Sequence, residues 1–99
     1  MARSILERRL VDISERLKRL RAELGVVEEQ LLFLEDEAED ARLRGLMAET
    51  PLAEAEARDA RRHADTLARH RDSLVLSIAD LAREQDSLLD RMAAELAAR

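Results

Sequence analysis

The sequence has no cysteine, tryptophan or tyrosine, and only one phenylalanine, one proline and two glycines. Without cysteine there is no disulfide and no thiolate metal site. With one aromatic ring there is almost no platform for stacking nucleobases. So little glycine and proline leaves few of the turns that a sheet needs. No stretch approaches the ~18 consecutive apolar residues of a membrane span. Met1 to Glu7 lacks the apolar run of a signal peptide. These absences point to a cytoplasmic protein with no membrane association.

What is present is the material of long helices. Charged residues make up 39% of the 99-residue chain, and Ala and Leu together supply about a third, a composition typical of long helices and coiled coils. The length bounds the chain to one domain. The net charge of −5 lacks the basic footprint of a nucleic-acid binder. The basic residues are 16 Arg and one Lys, Lys18, which together with abundant Ala suggests a GC-rich bacterial genome.

One strong punctuation mark interrupts the chain, at Glu49-Thr50-Pro51. Thr50 suits a helix N-cap, and Pro51 suits the first helical position, where its missing N–H costs nothing. The residue before a proline is pushed out of the helical region. Ser4 followed by Glu7 fits a capping box. The sequence therefore predicts one helix over about 4–48, a turn at about 49–50 and a second helix over about 51–97. Gly45 leaves a choice. It either sits inside helix one and permits close approach, or ends it in the left-handed conformation.

The first half carries a sustained heptad. Its two interleaved apolar sets are Leu6, Ile13, Leu20, Val27, Leu34, Ala41, Ala48 and Leu10, Leu17, Leu24, Leu31, Ala38, Gly45. Spacings of 4 and 3 alternate without a break, as in a coiled-coil helix. The second half repeats the pattern as Ala53, Ala57, Ala60, Ala64, Leu67, Arg71, Leu74, Ile78, Leu81, Gln85, Leu88, Met92. Arg71 and Gln85 are polar at seam positions, where such residues set register at some cost in stability. Arg71 can alternatively snorkel from the seam edge.

Folding back at Glu49–Thr50 sets Ala38 and Ala41 against Ala57 and Ala60, Leu20 and Leu24 against Ile78 and Leu74, and Leu10 and Leu6 against Leu88 and Met92. Small meets small near the turn and large meets large near the termini. The expected fold is all-α: two long helices in an antiparallel coiled-coil hairpin.

One seam does not use all the apolar surface. Ile5, Val11, Val26, Leu32 and Phe33 in helix one, and Val75, Leu76, Ala82, Leu89 and Leu96 in helix two, lie outside it. A stripe wider than one seam is what a bundle helix shows. The expectation is a homodimer of hairpins forming a four-helix bundle with Val26, Leu32, Phe33, Val75, Leu76 and Leu89 in the interface, since two-fold dimers are the commonest oligomers. A different protein is the rival occupant. Leu43, Leu46, Met47 and Leu52 form a second set at the turn, either closing its end or offering a hydrophobic tip together with Glu49, Glu54 and Glu56.

Charge is distributed unevenly. Residues 35–59 carry nine acids against three Arg, whereas residues 1–25 carry seven bases against four acids. Acid-first pairs four apart (Asp12–Arg16, Glu15–Arg19, Asp40–Arg44, Glu54–Arg58, Asp65–Arg69) would each contribute a few tenths of a kcal/mol. The acids of the run 35–40 spread around a helix and do not converge like a Ca²⁺ loop. A surface for a basic partner suits them better. His63 and His70 are seven apart, too far on one helix to share a metal ion. No HExxH, phosphate loop or nucleophile elbow is present. The expectation is no catalytic residue, no cofactor, no metal and no small-molecule substrate.

The resulting functional expectation is a small non-enzymatic structural or adaptor protein acting through self-association and docking to an unidentified protein partner. An antiparallel hairpin with acids near its turn also looks like the bacterial factors that reach the RNA polymerase active site through its secondary channel. That resemblance is one of shape and touches no specific motif, and those factors carry a globular domain this chain lacks. It implies an alternative function, a regulator of a large machine such as RNA polymerase or the ribosome through an acidic tip.

Overall fold

A computed structural model of the chain describes residues 4–99. Those residues form two helices, α1 (Ile5–Ala48) and α2 (Pro51–Ala97), with no strand among them. The chain is an all-α helical hairpin.

The ends follow from capping. The Glu7 backbone N–H donates to the Ser4 hydroxyl at 3.1 Å, and the Ala53 N–H donates to the Thr50 hydroxyl at 3.2 Å. Each cap satisfies one of the N–H groups left without a partner in a first helical turn. The end of α1 differs in kind. Glu49, not a glycine, takes the left-handed conformation with φ 53°, and its N–H donates to the Gly45 carbonyl at 3.2 Å. Gly45 has no positive φ, so α1 runs through it. The packing there would also accept a side chain. A Cβ at Gly45 would lie 3.5 Å from the Ala53 carbonyl oxygen and 3.7 Å from the Ala57 Cβ.

Contacts divide the hairpin into two compact units. One pairs residues 4–23 with 74–99, and the other comprises residues 24–73 and contains the turn. In the first, Leu6, Ile13, Leu17, Leu81 and Leu88 are buried together, with Leu10, Leu20, Ile78 and Met92 packed against them. Leu17 is 1% exposed, and burying such a side chain contributes about 1.5–3 kcal/mol. In the turn unit Val27, Leu31, Ala38, Ala41 and Ala64 are buried. Every position of both expected seams is buried or half-buried except Ala48, which is exposed as the last residue of α1.

Candidate functional site

The two polar seam residues behave differently. Gln85 stays half-buried and donates from its side-chain amide to the Ser14 hydroxyl on the opposite helix at 3.0 Å. Arg71 reaches outward and pairs with its neighbour Asp72 at 3.0 Å. It also lines a shallow groove with Glu28, Leu31, Leu32 and Glu35.

Arg61 is the main electrostatic bridge of the turn unit. It contacts Glu35 across the helices at 2.7 Å and Asp65 along α2 at 3.0 Å. The Arg61 hydrogen bond, with the charges of Arg61 and Arg71, holds the Glu35 carboxyl below its ordinary value of 4.5. The same two carboxylates raise the Arg61 guanidinium further. Glu39 is likewise lowered by its hydrogen bond from Arg42. In the other unit Arg9 pairs across the helices with Glu84. Arg62–Asp59 and Arg83–Asp80 are further ion pairs, three apart with the acid first. None of the five acid-first pairs expected at a spacing of four is among those that close. The ten residues of those five pairs are all exposed, where screening by water keeps such pairs weak and the spacing alone does not decide which rotamer wins.

The residues expected at the turn do not close it within the chain. Leu43, Leu46, Met47 and Leu52 are all exposed, Met47 to 86%. Glu49, Glu54 and Glu56 are exposed beside them. The turn is held by the Thr50 cap and the Glu49–Gly45 hydrogen bond, which leaves these apolar side chains in solvent.

The residues expected at a dimer interface are also exposed, in both units. Val26, Leu32 and Phe33 belong to the turn unit, and Val75, Leu76 and Leu89 to the other. Two adjoining open grooves, of about 530 and 480 Å³, run beside the turn-unit seam. Phe33, Leu34 and Leu67 line the first, and Leu34, Leu67, Thr66, His63 and His70 the second. Among the described residues no group of three His, Asp or Glu side chains could hold a metal ion. No helix among them is long and apolar enough to cross a membrane.

Apolar residues of α2 outside the seam form a second regular row. Val75, Ala79, Ala82, Asp86, Leu89, Ala93 and Leu96 repeat the 4 and 3 spacing one residue out of phase with the seam. This second row lies beside the first and is half-buried or exposed throughout. A helix with two adjoining apolar rows has surface for two neighbours, and α2 has one. Val75, Ala82, Leu89 and Leu96 of this row are among the seam-flanking residues expected from the sequence; Ala79, Asp86 and Ala93 complete it.

The sequence matches no protein-family model and no curated protein, and the fold matches no solved structure.

Proposed function

We propose that the protein is a small, non-enzymatic structural or adaptor protein of the bacterial cytoplasm that acts by self-association and by docking to another protein. The supporting observation is the exposure of large apolar side chains outside a seam that is already complete: Leu32 is 70% and Phe33 64% exposed. Exposed apolar surface of this extent marks an interaction site more often than idle surface. A second hairpin would cover it in a four-helix bundle.

The test is the melting temperature as a function of protein concentration. A folded dimer is stabilised by mass action, so its melting temperature rises with concentration. Leu89→Glu, at an exposed position of α2, should remove that dependence while leaving the helices intact. A melting temperature of the wild-type chain that stays constant across a hundredfold range of concentration, about two decades of mass action, would contradict the proposal.

A second reading rests on the tip. Met47, Leu46 and Leu52 stand exposed among Glu49, Glu54 and Glu56. An apolar centre with an acidic rim suits a basic protein surface. In this reading the hairpin regulates a large machine, RNA polymerase or the ribosome, through its turn.

A further inference from the structure

The second row on α2 is specific enough to name what covers it. We propose that it is the contact between two copies of this chain, α2 against α2 in antiparallel sense. This rests on the self-association proposed above and adds the face, the orientation and the register.

The row Val75 to Leu96 lies wholly in the unit that contains the chain termini. Its residues are small or apolar except Asp86. Along one rim, one residue beyond Ala82 and Leu89, stand Arg83 and Asp90, both exposed. Arg83 pairs within its own helix with Asp80. Side chains seven apart share one stripe of a helix, so the rim carries a positive charge and then, two turns on, a negative one.

That order is self-complementary when two helices run antiparallel. Ala79 can be set opposite Leu96 of a second copy, Ala82 opposite Ala93, and Asp86 opposite Leu89. The two-fold axis then places Arg83 of each copy beside Asp90 of the other, so the pair forms twice. Sliding one helix by seven residues in one direction sets Arg83 against Arg83. Sliding it in the other sets Asp90 against Asp90. A parallel arrangement in register leaves Arg83 and Asp90 of the two copies about two turns apart, so their pair does not form, and sets Asp86 level with Asp86. Like charges so placed are destabilising. Charge therefore selects one register out of the alternatives that the spacing allows. The same register puts alanine opposite leucine or alanine, which lets the backbones approach. Asp86 is the poor fit, a polar group opposite Leu89 and within one turn of Asp86 of the second copy, which weakens the contact.

The experiment is a charge swap on the full chain, with the dissociation constant read by light scattering on dilution and helix content by circular dichroism. Arg83→Asp and Asp90→Arg each turn two attractive contacts into two repulsive ones, and each should raise the dissociation constant roughly tenfold. The double variant restores opposite charges and should return to the wild-type constant. Asp86→Ala should tighten association. Both rim residues are exposed, so helix content should hold in every variant. Single swaps without effect on a dimeric wild type would overturn the face and register while leaving self-association standing. A double variant as weak as the sum of the singles would do the same. A wild type that is monomeric throughout would overturn both.

Discussion

The Gln85 side chain crosses the helix seam to donate a 3.0 Å hydrogen bond to the Ser14 hydroxyl. It occupies a position where the repeat calls for an apolar residue, between Leu81 and Leu88. Ser14 is exposed, so its hydroxyl can be satisfied by water when the amide is gone. Gln85→Leu should therefore raise the unfolding free energy by about 1 kcal/mol, from added apolar burial. Urea denaturation measures it. A comparable loss instead would show that the polar pair makes a net contribution.

The residues near the turn make a second case. Gly45 is buried with helical geometry, and an added Cβ meets only ordinary contacts at 3.5 and 3.7 Å. Gly45→Ala should stabilise the chain by about 0.5–1 kcal/mol through helix propensity. Gly25→Ala should do the same, since a Cβ there meets nothing within 4 Å. Glu49 is the converse, an L-residue held at φ 53°. Glu49→Gly should relieve about 1 kcal/mol of left-handed strain. Chemical denaturation of the three single variants checks all of these.

Much of this fold is legible in the sequence because one rule covers it. The 4 and 3 spacing names the buried face of both helices, and Thr50–Pro51 names the break. The choice at Gly45 was not decidable from residue type, because glycine serves equally for close packing and for a left-handed cap. The structure keeps it inside α1 with helical geometry and gives the cap conformation to Glu49. The second row of α2 is legible only in part: Val75, Ala82, Leu89 and Leu96 stand out beside the seam, whereas Ala79 and Ala93 are as natural on a helix surface as in a contact. The apolar residues at the turn are equally ambiguous, since Leu46 and Leu52 read as well for closing the end as for the exposed tip they form.

Replacing the tip should leave the fold intact. Met47 is 86% and Leu52 70% exposed. Met47→Ser with Leu52→Ser should shift the unfolding free energy by less than about 0.5 kcal/mol, as is usual for surface changes. If the tip docks a partner, binding should fall while the melting temperature stays. A large drop in melting temperature would show that these side chains support the turn, and the tip reading would lose its basis.

The Glu35–Arg61 contact sets a pH dependence. The hydrogen bond from Arg61 lowers the folded-state pKa of Glu35 below 4.5. Such a carboxyl contributes stability that is present above the unfolded-state value and is lost as pH falls through the lowered folded value. Arg61→Ala should move the Glu35 titration back up toward 4.5 when followed by carboxyl NMR shifts. Glu39, held by Arg42 on its own helix, should keep its lowered value in the same variant. A Glu35 titration unmoved by Arg61→Ala would refute the assignment.

The mass of the chain in solution bears most directly on the central claim, that a hairpin with a complete seam uses its remaining apolar surface to associate. Sedimentation equilibrium at micromolar concentration should give twice the chain mass of 11.3 kDa. Leu89→Glu, on the exposed row of α2, should return it to the monomer mass with helix content retained. A wild-type chain that sediments at 11.3 kDa at every concentration would contradict the account.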